Sequence, residues 1–174
     1  MNIVLIGYRG TGKSTVAAAL AARLGYHWHD ADQVLEARAG CSIATIFAEQ
    51  GEQAFRDLES ATIADLVKEE RIVLATGGGA ILREENRQRL RACGKIVWLT
   101  ARVETILTRV AGDQATAGRR PNLTTQGGEA EVRQLLQQRE PWYRALADAI
   151  VATDDRAPEE IVDEIIERLI TSKN

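Results

Sequence analysis

The stretch Gly7-Tyr8-Arg9-Gly10-Thr11-Gly12-Lys13-Ser14 follows the pattern G-x-x-x-x-G-K-[ST], with an apolar run before it and an alanine-rich run after it. Glycines let the backbone turn its N–H groups inward around phosphate oxygens, and a helix starting at Lys13 adds partial positive charge at the same place. Lys13 reaches the outer phosphates, and Ser14 offers a hydroxyl to Mg²⁺. The segment therefore reads as a cradle for the phosphates of a nucleoside triphosphate.

Such a cradle usually works with an acidic residue ending another strand, yet the apolar run 72–76 ends in Thr76-Gly77-Gly78-Gly79 without a carboxylate. Asp30 and Asp32 follow a different strand candidate, and in extended chain an i, i+2 spacing points both the same way. One carboxylate can serve a metal while the other accepts the proton of an attacking alcohol. Equally, Asp30 suits a helix N-cap with Asp32 in the first turn, and spacing alone leaves both readings open.

The arginines are ambiguous in the same way. Arg56 lies between Glu52 and Glu59 at helical spacing, as in an exposed ion-pair row. Arg139 precedes Glu140-Pro141, where the proline is expected to break or kink a helix and the arginine to complement its carbonyls. Gly77-Gly78-Gly79 can bring backbone amides close to a ligand or form a plain turn. Arg119 and Arg120 fall in residues 112–128, a glycine- and threonine-rich stretch without apolar periodicity, which reads as a lid carrying positive charge to phosphates. Trp28, Trp98 and Trp142 read as core or shelf residues, while His27 and His29 have no ligand partners at a matching distance and suggest no metal role.

Four short apolar or β-branched runs, at 3–6, 72–76, 96–99 and 149–153, and a fainter strand candidate at 26–29 that polar histidines interrupt, alternate with stretches of helical period. That is the pattern of βαβ units around a parallel sheet covered on both faces. Helices are expected over Lys13–Leu24 with Gly25 as the stop, over 52–68, around 83–93, and from Pro158 onward, where Ile161, Val162, Ile165, Ile166, Leu169 and Ile170 form one stripe. With 174 residues and 45% hydrophobic content, one α/β domain is the default. The net charge of −3 is spread along the chain, which argues against a nucleic-acid track. Cys41 and Cys93 lack metal-ligand spacing and fit free thiols in a reducing cytosol. No signal-like N-terminus or run of 18 apolar residues suggests export or a membrane.

Taken together, GYRGTGKST at 7–15, Asp30-Ala31-Asp32, FRDLE at 55–59, TGGG at 76–79, RRP at 119–121 and QREPWYR at 138–144 resemble shikimate kinase over almost the whole chain. The resemblance implies a single-domain P-loop fold with a five-stranded parallel sheet in the order 2-3-1-4-5, a mobile lid at 112–128 and a shikimate-binding segment at 31–60. It implies ATP and Mg²⁺, with phosphoryl transfer to the shikimate 3-hydroxyl in the chorismate pathway of aromatic amino-acid synthesis. ATP would be held by Gly10, Thr11, Gly12, Lys13, Ser14 and Thr15, with Arg109, Arg156 and Pro158 flanking adenine. Ser14 and Asp30 would serve the metal, the latter through water, and Lys13, Asp32 and Arg120 would be catalytic. Asp32 would contact the shikimate hydroxyl, while Arg56, Arg139, Gly77, Gly78 and Gly79 would bind its carboxylate, reversing the bland readings of both arginines. Glu59 would orient Arg56, with Phe47 and Phe55 as apolar walls. Asn122 and Arg9 depart from the usual family residues or fall at variable positions. The rival readings are a P-loop kinase for another small anion, such as gluconate or a nucleoside monophosphate, and a non-catalytic nucleotide switch. A cytoplasmic monomer with no nucleic-acid or membrane partner is the default expectation.

Overall fold

The computed structural model describes residues 1–113 and 128–171. In chain order the elements are β1 (Asn2–Ile6), α1 (Lys13–Leu24), β2 (His27–Asp30), α2 (Ala31–Ala39), α3 (Ile43–Leu66), β3 (Ile72–Ala75), a 3₁₀ turn (Ala80–Leu82), α4 (Glu84–Cys93), β4 (Gly94–Thr100), α5 (Val103–Gly112), α6 (Gly128–Leu146), β5 (Ala149–Ala152) and α7 (Pro158–Ile166), followed by a π-helical turn (Glu167–Thr171). All strand pairings are parallel, in the order β2-β3-β1-β4-β5. The expected sheet is thus present.

Side-chain alternation along β1 sorts the two faces of the core. Ile3 and Leu5 pack with Val73, Ala75, Val97 and Leu99 beneath Val16 and Leu20 of α1 and Ile161, Val162 and Ile165 of α7. Val4 and Ile6 face the other way, with Ile72, Leu74, Ile96 and Trp98, beneath Ile63 and Leu66 of α3, Leu90 of α4 and Tyr143 of α6. Every residue of β1 is buried, which explains why this strand is apolar without interruption. Truncating Leu5 to alanine is expected to cost about 2–5 kcal/mol.

Several expectations need correction. The helix expected over 52–68 starts earlier, at Ile43, and bends at Gly51, whose φ of 82° and ψ of 174° are not helical. The bend divides α3 into two arms, and apolar periodicity in the sequence registered only the second. Pro141 does not end a helix, since α6 runs from Gly128 through it to Leu146. Trp28 is 38% exposed and Trp142 43% exposed, so neither is core. Trp28 lies on β2, which has a strand neighbour on one side only, and Trp142 lies under the Arg87 guanidinium, 4.0 Å from its ring centroid. Only Trp98 meets the core expectation, stacking on Tyr143 at 5.5 Å.

Because all five strands run the same way, the turns after them meet at one edge of the sheet. The P-loop follows β1, the aspartates follow β2, and the triple glycine follows β3. Topology therefore gathers residues that are far apart in sequence.

Candidate active site

Two cavities meet at that edge. The larger, of about 690 Å³, is lined by Arg9 to Val16, Asp30, Asp32, Arg109, Thr153, Arg156 and Pro158, among others. The smaller, of about 60 Å³, is lined by Tyr8, Arg9, Asp32, Phe47, Phe55, Arg56, Glu59, Gly77, Gly78, Gly79 and Arg139, with Ile43.

In the larger cavity the P-loop has the backbone its glycines predict: Gly10 has φ 80° and Gly12 φ 88°. Gly12 is the N-cap of α1 and no side chain caps it, so the first amides of the helix face the cavity uncapped by protein side chains. An anion fits such an end. The Lys13 ammonium is held 2.8 Å from the carbonyls of both Gly7 and Tyr8, which bends its side chain back over the loop.

Asp30 resolves the ambiguity left by its spacing, because its two oxygens do different jobs. Oδ1 accepts from the backbone N–H of Asp32 at 3.0 Å and of Gln33 at 3.3 Å, capping α2. Oδ2 accepts from the Ser14 hydroxyl across the cavity floor. The idea that extended chain aims both aspartates together is not borne out, since β2 ends at Asp30 and Asp32 already lies in the first turn of α2. A hydroxyl and a carboxylate side by side are hard oxygen donors, and they fit a Mg²⁺ ion that keeps waters and takes its remaining oxygens from phosphates. Among the described residues there is no cluster of three or more His, Cys, Asp or Glu to hold a metal by protein ligands alone.

Arg109 of α5 donates to the Gly10 carbonyl at 3.2 Å and to the Thr153 hydroxyl and carbonyl at 2.9 and 2.7 Å. It ties the P-loop to the end of β5. Arg156 donates to the carbonyls of Ala152 and Glu160, both at 3.0 Å, and pairs with Glu164, which fixes the start of α7 where Pro158 occupies the first turn. Arg119, Arg120 and Pro121 lie outside the described residues.

The smaller cavity is built from side chains. The kink at Gly51 lets Ile43 and Phe47 of the first arm of α3 face the same space as Phe55, Arg56 and Glu59 of the second. Phe47 and Phe55 rings sit 4.8 Å apart. Arg56 is buried and its Nη1 donates to Glu59 Oε2 at 2.9 Å, with Glu52 Oε1 3.4 Å from Nη2. Glu52 and Glu59 are indeed its neighbours, but the row is buried at Arg56 rather than exposed. Burial pushes the Glu59 carboxyl above its ordinary range; Arg56 opposes that shift and the nearby Asp32 charge adds to it. Among the described residues Glu59 Oε1 has no hydrogen-bond partner.

The triple glycine is required by close approach. A Cβ on Gly79 would stand 2.5 Å from Arg56 Nη1, and one on Gly77 would stand 2.7 Å from Asp32 Oδ1. Arg139 of α6 is also buried, beside the Tyr8 ring at 5.7 Å. One turn further on, the Tyr143 hydroxyl donates to the Gly78 carbonyl at 2.5 Å. Desolvation pushes that phenol up to about 12, so it stays a donor at neutral pH. Two guanidiniums beside a glycine backbone make a receptor for a planar carboxylate.

Sequence reasoning missed Tyr8, Ile43, Glu131 and the anchoring role of Tyr143, and treated Arg9 only as a variable position. Tyr8 and Ile43 are apolar-walled positions with no local signature. Glu131 is wholly buried and forms an ion pair with Arg9 at 3.6 Å, which no spacing rule links across the chain.

A sequence model described as Shikimate kinase matches residues 9–170. A shikimate kinase of Pseudomonas putida is 45% identical over 168 residues, covering 97% of this chain and 95% of the relative. One of Chromohalobacter salexigens is 46% identical over 167 residues, covering 96% and 91%. The solved shikimate kinase from Acinetobacter baumannii in complex with shikimate superposes with a TM-score of 0.92 at 36% identity, covering 99% of this chain and 94% of that one. A gluconokinase from Sinorhizobium meliloti, at 17% identity and a TM-score of 0.60, covers 98% and 91% and shares the fold alone. With its paired arginines, triple glycine and P-loop meeting at one sheet edge, the chain belongs to the shikimate kinase family.

Proposed function

We propose that this protein transfers the γ-phosphoryl group of ATP to the 3-hydroxyl of shikimate, giving shikimate 3-phosphate and ADP. The observation that carries the reading is the buried pair Arg56 and Arg139 in a cavity that shares Asp32 with the P-loop cavity. Arg56, Arg139 and the amides of Gly77, Gly78 and Gly79 hold the carboxylate, which sets the ring so that a hydroxyl faces Asp32. Asp32 orients that hydroxyl and accepts its proton as the oxygen attacks phosphorus and the bond to the β-phosphate oxygen breaks. Gly10, Thr11, Gly12, Lys13, Ser14 and Thr15 hold the phosphates, and Lys13 offsets the charge that develops on them. Ser14 and Asp30 are the residues that would hold Mg²⁺, which supplies charge neutralisation at the phosphates when bound. Arg109, Arg156 and Pro158 line the same cavity and flank the base.

The role of Arg120 rests on the RRP motif alone, and Arg120→Met with a large fall in kcat is its separate test. The protein acts as a monomer in the cytoplasm, a placement that its two free cysteines support. No helix among the described residues is long and apolar enough to cross a membrane.

A coupled ADP-release assay with shikimate, gluconate and nucleoside monophosphates tests the reading. Turnover with shikimate well above the others is expected; turnover with another acceptor and none with shikimate would refute it.

A further inference from the structure

The two cavities abut, and three residues line both: Arg9, Asp32 and Ile43. Among the described residues, Arg9 is the only basic one in that set. The Arg9 backbone nitrogen also lies 3.5 Å from where a Cβ on Gly78 would stand, so the P-loop touches the triple glycine at this point. A phosphoryl group that leaves the P-loop and arrives on an oxygen held by Asp32 must cross this junction. Before transfer its negative charge belongs to the nucleotide, and afterwards to the acceptor.

The guanidinium of Arg9 is built into place rather than left loose. Its Nη2 lies 3.6 Å from Glu131 Oε1, and the Glu131 side chain is 1% exposed whereas that of Arg9 is 22% exposed. At that distance the pair is an ion pair longer than a hydrogen bond. The Arg9 Nε is buried and has no hydrogen-bond partner among the described residues. Buried carboxylates require a counter-charge, so Glu131 holds the arginine at the junction while leaving guanidinium N–H groups available to a further anion. A purely structural strut would hide its guanidinium. The Arg9 side chain instead keeps part of its surface exposed, and the residue lines both cavities.

We propose that Arg9, positioned by Glu131, is a further ligand-binding residue whose target is the transferred phosphate on the acceptor: it favours shikimate 3-phosphate over shikimate. This rests on the functional reading above, because it takes the acceptor to be shikimate. Its consequence is a selectivity that the carboxylate-binding arginines cannot supply, since substrate and product carry the same carboxylate.

The test is calorimetric titration of shikimate and of shikimate 3-phosphate into the native protein, Arg9→Met, Arg9→Lys and Glu131→Gln, with steady-state kinetics alongside. Arg9→Met is expected to weaken shikimate 3-phosphate by about tenfold or more and shikimate by less than about threefold. Arg9→Lys keeps a positive charge against Glu131, so it is expected to retain the native Tm yet lose part of the selectivity for want of a planar fork. That variant keeps the proposal testable where Arg9→Met folds poorly. Glu131→Gln should fall between Arg9→Lys and Arg9→Met in selectivity. Equal weakening of both ligands, or no change in either, overturns the proposal while leaving the kinase reading intact. A native protein that neither binds nor phosphorylates shikimate overturns both, and the assay on the unmodified chain separates that outcome from the first.

Discussion

The nucleotide cavity takes the largest single share of its lining from one contiguous stretch, Arg9 to Val16, whereas the acceptor cavity draws its lining from the P-loop, α2, both arms of α3, the turn after β3, and α6. The first works largely through backbone amides at a helix end, and the second through side chains converging from separate elements. A backbone cradle is tolerant of side-chain change except where a charge or hydroxyl is itself the tool. A receptor made of converging side chains is sensitive to anything that moves one wall.

The contrast makes graded expectations. The largest effects belong to the groups acting on the reacting atoms: Lys13→Ala and Asp32→Asn should each lower kcat by about 10²–10⁴, with little change in shikimate KM, measured by coupled ADP release. If shikimate KM rose instead with kcat preserved, the division of labour between the cavities would be wrong. Next is Gly79→Ala, whose added methyl meets the Arg56 guanidinium at 2.5 Å. It should raise shikimate KM by about 10–100-fold, since Arg56 must move off its carboxylate-binding position, while ATP KM stays within about threefold. Arg56→Lys should raise shikimate KM by about tenfold, because a point charge cannot reproduce the fork that meets both Glu59 and the ligand. Equal affinity in that variant would remove Arg56 from the receptor.

The smallest effect is expected at Tyr143. Tyr143→Phe removes the bond to the Gly78 carbonyl and should cost about 1 kcal/mol at neutral pH, read as a lower Tm. Its pH dependence has a definite sign. The folded phenol, raised to about 12, keeps its proton where the unfolded one at 10.0 loses it, so the native state binds more protons in that window and loses stability as pH rises through it. The Tm difference between native protein and Tyr143→Phe should therefore be flat below about pH 9 and shrink above about pH 10. A difference that grew with alkali would contradict the assigned burial.

This contrast also explains what could be read from sequence. The P-loop was readable because its chemistry is local, with glycines, lysine and serine in one run beside a strand and a helix. The sheet was readable because four of its strands centre on short apolar or β-branched runs, and only edge strand β2, with its histidines and exposed Trp28, was faint. Arg56 and Arg139 were undecidable from spacing because burial makes them functional, and burial is set by packing rather than by neighbours in the chain. The same holds for Arg9 and Glu131, which meet only because α6 lies over the P-loop. The first arm of α3 was missed because Gly51 interrupts the helical period that would have revealed it.

Helix α6 carries Glu131, Arg139 and Tyr143, and these reach the P-loop, the acceptor cavity and the triple glycine in turn. An inserted or deleted residue anywhere between Glu131 and Tyr143 would swing one end of that set by about 100° relative to the other. Length variation is therefore shut out of this span and confined to places such as the chain beyond Leu146, where α6 has already made its contacts. The helix works as a ruler, and its divisions cannot be respaced without uncoupling the donor side from the acceptor side.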